Sequence, residues 1–306
     1  MRLKAAQAAG GASPLRRFDA GLLAEFAPAK INLTLEIKGR RGDGYHEIES
    51  LVCFADFGDR LEFSPDGSLS LSIEGPFASG FGSGTNLVER AVHDFAAAYG
   101  TAAAGAFHLV KRIPVAAGLG GGSADAAAAL RLLAKHHGGP ETLSALIPLA
   151  RGIGADVPCC LFSRAALMTG VGETLHPLPE FAPVPAVLVN PTLPLATRDV
   201  FRALAAGPLR AAQETPVLPR LAGLADVVAY TAARRNDLEG AARQLLPVIG
   251  DMLSMLETLP GSLMSRLSGS GPTCFGVFAK PDEAEDAAAR VAHEHPEWWA
   301  QPVMLS

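Results

Sequence analysis

The sequence predicts an α+β fold in two domains. Three observations carry this: a period-two alternation of apolar residues near the N-terminus, a glycine run opening an alanine-rich helix, and a proline-rich stretch at 177–185. That stretch divides residues 21–178, an N-terminal domain, from residues 179–306, a C-terminal domain. Residues 1–20 carry Arg2, Lys4, Arg16 and Arg17 but no apolar core of a secretory signal, and read as a frayed extension. Residues 24–63 read as antiparallel sheet. Ile31, Leu33, Leu35 and Ile37 alternate with Lys30, Asn32, Thr34, Glu36 and Lys38, so a strand sets Lys30 and Asn32 on one polar face. A turn cluster at 40–44 leads to a second strand over 45–54. Residues 64–84 are rich in Ser, Gly and Pro around a short alternation at Leu69, Leu71 and Ile73.

Residues 86–99 have helical spacing, with Leu87, Ala91, Val92 and Phe95 on one face, and 107–113 read as a strand. The glycine run then opens a helix that reaches about residue 137 and stops at Gly138-Gly139-Pro140. A further helix is expected over 141–151. Beyond the boundary come a strand at 187–189, several helices, and Ser268-Gly269-Ser270-Gly271 feeding a strand over 273–279.

Composition narrows the function. A chain of 306 residues that is 49% hydrophobic and 19% charged buries a core without staples and is not disordered. Its net charge of −5, with no basic stripe, argues against a nucleic-acid binder. No apolar run reaches the roughly 18 residues of a membrane span, so no membrane partner is expected and the expected compartment is the cytoplasm. The four cysteines have neither disulfide-framework nor zinc spacing and read as buried thiols. The eight histidines contain no HExxH pattern, and no carboxylate has the spacing that would assign it to a metal.

Chemistry concentrates in Pro114-Val115-Ala116-Ala117-Gly118-Leu119-Gly120-Gly121-Gly122-Ser123-Ala124. Glycines at a helix start let several backbone N–H groups point into one concavity, and the helix dipole adds positive potential, which suits phosphates. Ser123 is read either as the helix cap or as a hydroxyl near a phosphate or Mg²⁺. Gly122-Ser123-Ala124 lacks the lysine of a Walker A loop. Ser123 also stands where a dinucleotide fingerprint needs glycine, and Glu141, though correctly spaced for its acid, follows Gly-Gly-Pro. A protein kinase is disfavoured by the lack of an HRD segment.

Pro28-Ala29-Lys30-Ile31-Asn32, the 114–125 loop and Ser268-Gly269-Ser270-Gly271 resemble, in order, the three motifs of the GHMP kinases. Gly42-Asp43-Gly44-Tyr45-His46, Thr85-Asn86-Leu87, Gly154-Ala155-Asp156-Val157-Pro158 and Asn236-Asp237-Leu238-Glu239 are similar to the branch that phosphorylates the 2-hydroxyl of a cytidine-diphosphate ester of methylerythritol in non-mevalonate isoprenoid synthesis. The resemblance covers about residues 24–280. It implies an N-terminal ATP domain and a C-terminal domain around a central cleft, with ATP and Mg²⁺ as cofactors. It further implies that the 114–124 loop cradles phosphates and that Asn86 serves adenine, unless Asn86 is simply the cap of the helix it precedes.

By the same resemblance Asp156 is the general base and Lys30 its electrostatic partner. An alcohol becomes a competent nucleophile once a base takes its proton, and a neighbouring ammonium favours the charged form of that base. Lysine is scarce, six against twenty arginines, which makes Lys30 informative. Asn32 would reach the substrate near the reacting hydroxyl. Tyr45 and His46 would serve the cytosine ring, and Thr197 and Phe201 lie where a second stacking face is expected, although Phe201 equally fits helix core packing. Asp125, in Ser123-Ala124-Asp125 where the family often has Ser-Ser-Asn or Ser-Ala-Asp, is read as stabilising the helix start or a metal-bound water. The expected assembly is a monomer or weak homodimer. The rivals are a GHMP kinase for mevalonate, homoserine or a sugar, and a non-catalytic nucleotide sensor.

Overall fold

The computed structural model describes residues 23–80, 86–140, 142–204, 206–207 and 216–306. Its elements run β1 (Leu23–Asn32), β2 (Glu36–Arg40), β3 (His46–Ser68), β4 (Ser70–Glu74), α1 (Leu87–Tyr99), β5 (Ala104–Val110), α2 (Gly121–His136), α3 (Ile147–Ile153), α4 (Val157–Phe162), β6 (Ala166–Gly170), β7 (Thr174–Pro177) and β8 (Val184–Asn190). There follow α5 (Thr197–Leu204), α6 (Leu224–Ala232), α7 (Glu239–Leu245), α8 (Val248–Thr258), β9 (Ser262–Leu267), β10 (Cys274–Phe278), α9 (Pro281–Glu294) and β11 (Trp299–Leu305).

The long strand β3 organises the sheet. It pairs with β1, β2, β5, β6 and β11, and the main path runs β4-β5-β3-β11-β8-β10-β9. All pairings are antiparallel except β4 with β5. β11 joins the strands of the C-terminal half to β3: Leu305 sits opposite Ala55, and Phe54 and Ser306 exchange backbone hydrogen bonds of 2.9 and 2.8 Å.

Several elements differ from the sequence expectation. The strand expected over 45–54 is the first part of 23 residues, because Leu51, Val52, Cys53, Phe54 and Ala55 are all buried. A strand covered on both faces loses its period-two signal. The alternation from Ile31 to Ile37 does not mark one strand. The chain breaks after Asn32, where the Thr34 hydroxyl accepts the Leu51 N–H at 3.0 Å and the Thr34 carbonyl accepts the Ser50 hydroxyl at 2.6 Å. The helix expected over 141–151 begins at Ile147, with Pro148 in its first turn, where a missing N–H costs nothing. Residues 143–146 form a 3₁₀ turn, and Glu141 lies outside the described residues, as do residues 1–22.

Helix α2 is apolar almost all round: Ala124, Ala126, Ala127, Ala128, Ala129, Leu130, Leu132 and Leu133 are buried. Alanine favours helix and is small enough for close approach, so α2 packs at once on β1, α1 and α4. This core fixes the helix whose N-terminus carries the glycine run. All four cysteines are buried free thiols. Among the described residues no helix is long and apolar enough to cross a membrane.

Candidate active site

A cavity of about 500 Å³ opens between the glycine loop, the end of β1, the start of α4, the start of α5 and the 268–271 turn. The loop is braced from behind. The Ala117 carbonyl accepts the Thr273 hydroxyl at 2.7 Å and the Thr273 N–H at 3.2 Å, the Gly118 carbonyl accepts the Ser268 hydroxyl at 3.3 Å, and the Leu119 carbonyl accepts the Lys30 N–H at 2.9 Å. With these carbonyls engaged by protein, the N–H groups of the first turn of α2, which have no intrahelical acceptor, remain for an anion. Gly118 is the tightest point: its φ is 74°, and a Cβ there would stand 2.5 Å from the Gly271 carbonyl oxygen. Gly118→Ala is expected to cost more than about 1 kcal/mol of stability and to weaken ATP binding, checked by thermal melts with and without ATP.

Lys30 is 4% exposed, and its Nζ lies 2.8 Å from Asp156 Oδ1. Burial pulls its pKa down, but Asp156, with smaller help from the neighbouring thiols, holds it above the ordinary lysine value, so Lys30 remains an ammonium at working pH. The Asp156 side chain is 37% exposed. It occupies the N-cap position of α4 yet makes no capping hydrogen bond, the carboxylate being turned to Lys30 instead. The capping alternative for Asp156 therefore fails.

The cavity wall brings together Lys30, Asn32, Pro114, Val115, Ala116, Ala117, Gly118, Gly120, Gly121, Gly122, Ser123, Asp156, Thr197 and Phe201. Lys30 and Asn32 do share a strand face, but it is buried against this cavity rather than solvated. The Asn32 amide donates to Ser50 Oγ at 2.7 Å. The Thr197 and Ser270 hydroxyls are hydrogen-bonded to each other at 2.9 Å, tying α5 to the third motif. Asn236 holds that motif in turn, its amide donating to the Leu267 and Gly269 carbonyls at 2.9 and 2.7 Å. Phe201 lines the wall and packs on His46, ring centroids 4.9 Å apart. Partial burial, with Arg40 nearby, lowers the His46 pKa, so its imidazole is neutral at working pH and offers one donor and one acceptor.

Other predicted residues lie off the wall or take a different place on it than expected. Leu119 and Ala124 are buried in the core. Ser123 does not cap α2; that position is Gly120, and Ser123 sits in the first turn, on the cavity wall. Asn86 caps α1, accepting the Val88 N–H at 2.9 Å, and it is Leu87 beside it that lines the cavity. Tyr45 is 65% exposed and is not on the wall. Asp125 stabilises neither the helix start nor a metal-bound water: it is buried beyond the first turn and pairs with Lys111 at 2.7 Å. Burial, with Asp59 close by, pushes its carboxyl up to about 8 against the pull of Lys111.

Sequence reasoning missed Lys111, Asp59 and Ser270. The scarcity argument applied to Lys30 holds equally for Lys111, three residues before Pro114, and is the one signal that points to it.

Among the described residues no three His, Cys, Asp or Glu side chains cluster as a metal cage. The side-chain oxygens at the wall are hydroxyls, the amide oxygen of Asn32 and the single carboxylate of Asp156, which fits a Mg²⁺ that keeps waters and arrives on nucleotide phosphates.

This loop at the head of a buried helix, facing a lysine–aspartate pair across one cleft, defines a GHMP kinase. Residues 86–164 match the GHMP kinases N-terminal domain and residues 222–297 the GHMP kinases C-terminal domain. A 4-diphosphocytidyl-2-C-methyl-D-erythritol kinase of Methylobacterium radiotolerans is 49% identical over 288 residues, covering 93% of this chain and 99% of the relative. One from Paramagnetospirillum magneticum is 48% identical over 280 residues, covering 91% and 97%. A crystal structure of a 4-(cytidine 5'-diphospho)-2C-methyl-D-erythritol kinase superposes with TM-score 0.73 at 35% identity, covering 93% of this chain and 99% of that one. A homoserine kinase from Cytophaga hutchinsonii, at TM-score 0.68 and 16% identity over 96% and 97% of the two chains, shares the fold. The chain belongs to the 4-diphosphocytidyl-2-C-methyl-D-erythritol kinase family.

Proposed function

We propose that this chain transfers the γ-phosphoryl group of ATP to the 2-hydroxyl of 4-diphosphocytidyl-2-C-methyl-D-erythritol, as a cytoplasmic enzyme of non-mevalonate isoprenoid synthesis that works as a monomer or weak homodimer. The observation that carries the reading is the 2.8 Å contact of Lys30 with Asp156 on the cavity wall that also holds the glycine loop. Phosphoryl transfer needs positioned phosphates, neutralised charge and an oriented hydroxyl, and each requirement has a residue. The loop N–H groups and the α2 dipole hold the phosphates. Asp156 takes the proton of the substrate hydroxyl as its oxygen bonds to the γ-phosphorus and the bond to the β-phosphate oxygen breaks. Lys30, charged at working pH, orients Asp156 and offsets charge on the moving group. Asn32, fixed by Ser50, meets the substrate beside the reacting hydroxyl. Mg²⁺ bound with the nucleotide would neutralise phosphate charge. The free amide of Asn86, whose oxygen is engaged as a cap, serves adenine.

For the cytosine ring, Phe201 supplies an aromatic face braced by His46, His46 supplies hydrogen bonds, and Thr197 flanks them, while exposed Tyr45 closes over the ring from the solvent side. Phe201→Ala is expected to raise KM for the cytidyl substrate about tenfold, in the range of one lost base–aromatic stack, with KM for ATP unchanged. Steady-state titration of each substrate checks it.

The functional test is ADP release coupled to a reporter enzyme, with the cytidyl substrate beside mevalonate, homoserine and galactose. Turnover confined to the cytidyl substrate supports the assignment. Turnover with another alcohol keeps the kinase and discards the cytosine pocket, and ATP binding without any turnover leaves only a nucleotide sensor.

A further inference from the structure

Behind the glycine loop lie three ionisable side chains that the phosphoryl-transfer reading does not use. Lys111, just past β5, is buried, with Nζ 2.5 Å from Asp59 Oδ2 and 2.7 Å from Asp125 Oδ2. The other Asp59 oxygen accepts the backbone N–H groups of Arg112 at 2.6 Å and Ile113 at 2.8 Å. These two amides turn away from strand pairing, which is why the strand expected over 107–113 stops at Val110.

The three groups sit at consequential places. Asp59 belongs to the central strand β3, residues 111–113 lead directly into Pro114, and Asp125 is in the second turn of α2. Both shoulders of the glycine loop are thereby tied to one point of the sheet. Contact with the loop is direct, since a Cβ on Gly121 would stand 3.1 Å from Lys111 Nζ. Separating the shoulders would strip the Asp125 acceptor from the buried Lys111 ammonium, which is unfavourable in a low-dielectric core. The loop mouth is therefore held at one width.

We propose that Asp59, Lys111 and Asp125 form a positioning clamp that holds the two shoulders of the glycine loop at the spacing ATP phosphates require. They are positioning residues: Lys111 borders the cavity but is 2% exposed, its ammonium is turned to the Asp59 and Asp125 carboxyls, and the three act through the backbone of residues 112–113 and the first turn of α2. The inference rests on the reading of this cavity as the ATP site.

The test compares Lys111→Met, Asp125→Ala and Asp125→Asn in the full chain. Binding of a fluorescent ATP analogue and of the cytidyl substrate is measured separately, together with kcat and KM for each. The clamp predicts that Lys111→Met weakens the ATP analogue about tenfold or more, since displacements of an ångström carry such penalties. The loss falls on KM for ATP rather than on kcat, and affinity for the cytidyl substrate is kept. Asp125→Asn, which retains an acceptor for Lys111, keeps most of the affinity lost in Asp125→Ala. ATP affinity within twofold of the parent in Lys111→Met overturns the clamp, as does a parallel fall in both ligands, which would mark a general packing role. Should Lys111→Met fail to fold, the Asp125 pair decides by the same criteria. Parent protein that binds ATP yet does not turn over the cytidyl substrate sinks the substrate assignment and leaves the clamp standing, whereas parent protein that binds no ATP overturns both.

Discussion

Asp156→Asn is expected to lower kcat about 10²- to 10⁴-fold, the span that a positioned general base contributes. Asparagine preserves shape and leaves an amide oxygen that can still accept from Lys30 Nζ, so the partner is not stranded. What is lost is the capacity to take the substrate proton. Because the Asp156 side chain is 37% exposed, the charge pair is partly screened and contributes little to stability, and the melting temperature should stay near the parent value. KM for ATP should change little. Single-turnover kinetics at saturating ATP isolate the chemical step. An intact rate would remove Asp156 from the role of base while leaving the kinase assignment in place.

Lys30→Met is expected to cut kcat by about 10² or more, the loss typical of removing a charge aimed at the transition state. Methionine nearly matches the lysine stem, so the packing around this 4% exposed residue is maintained. The pH profile separates Lys30 from other groups. Its folded-state pKa is raised, so its charge and its contribution to stability are fully present below the unfolded lysine value and are lost only as pH rises through the higher folded value. Any alkaline fall in kcat below about pH 10 therefore belongs to another group. Unchanged kcat in Lys30→Met would retire its electrostatic role.

Legibility in the sequence followed the kind of order each signal carries. The glycine run and its helix were readable because loop and helix start are contiguous, and Lys30 with Asn32 because a strand puts alternate residues on one face. The length of β3 was not readable, since burial on both faces erases alternation at residues 51–55. Pro148 in a first turn looked like the interior of a helix that begins six residues later than expected. Asp125 was misread because its partner Lys111 is fourteen positions away and the third member, Asp59, a further fifty-two. Tyr45 shares a motif with His46, yet only His46 reaches the Phe201 ring.

By itself, the sequence determined the fold class and the glycine loop at a helix start, through local periodicity and glycine chemistry, and its resemblance to the family singled out the lysine and aspartate set opposite that loop. Tertiary structure alone decided which alternative each residue takes. It turned Asp156 from a helix cap to the partner of a buried ammonium, kept Ser123 on the cavity wall rather than at the cap, and gathered Asp59, Lys111 and Asp125 behind the loop. The physical reason is that these choices are set by burial and by charges brought together across long sequence separations, and neither quantity exists until the sheet and α2 have packed.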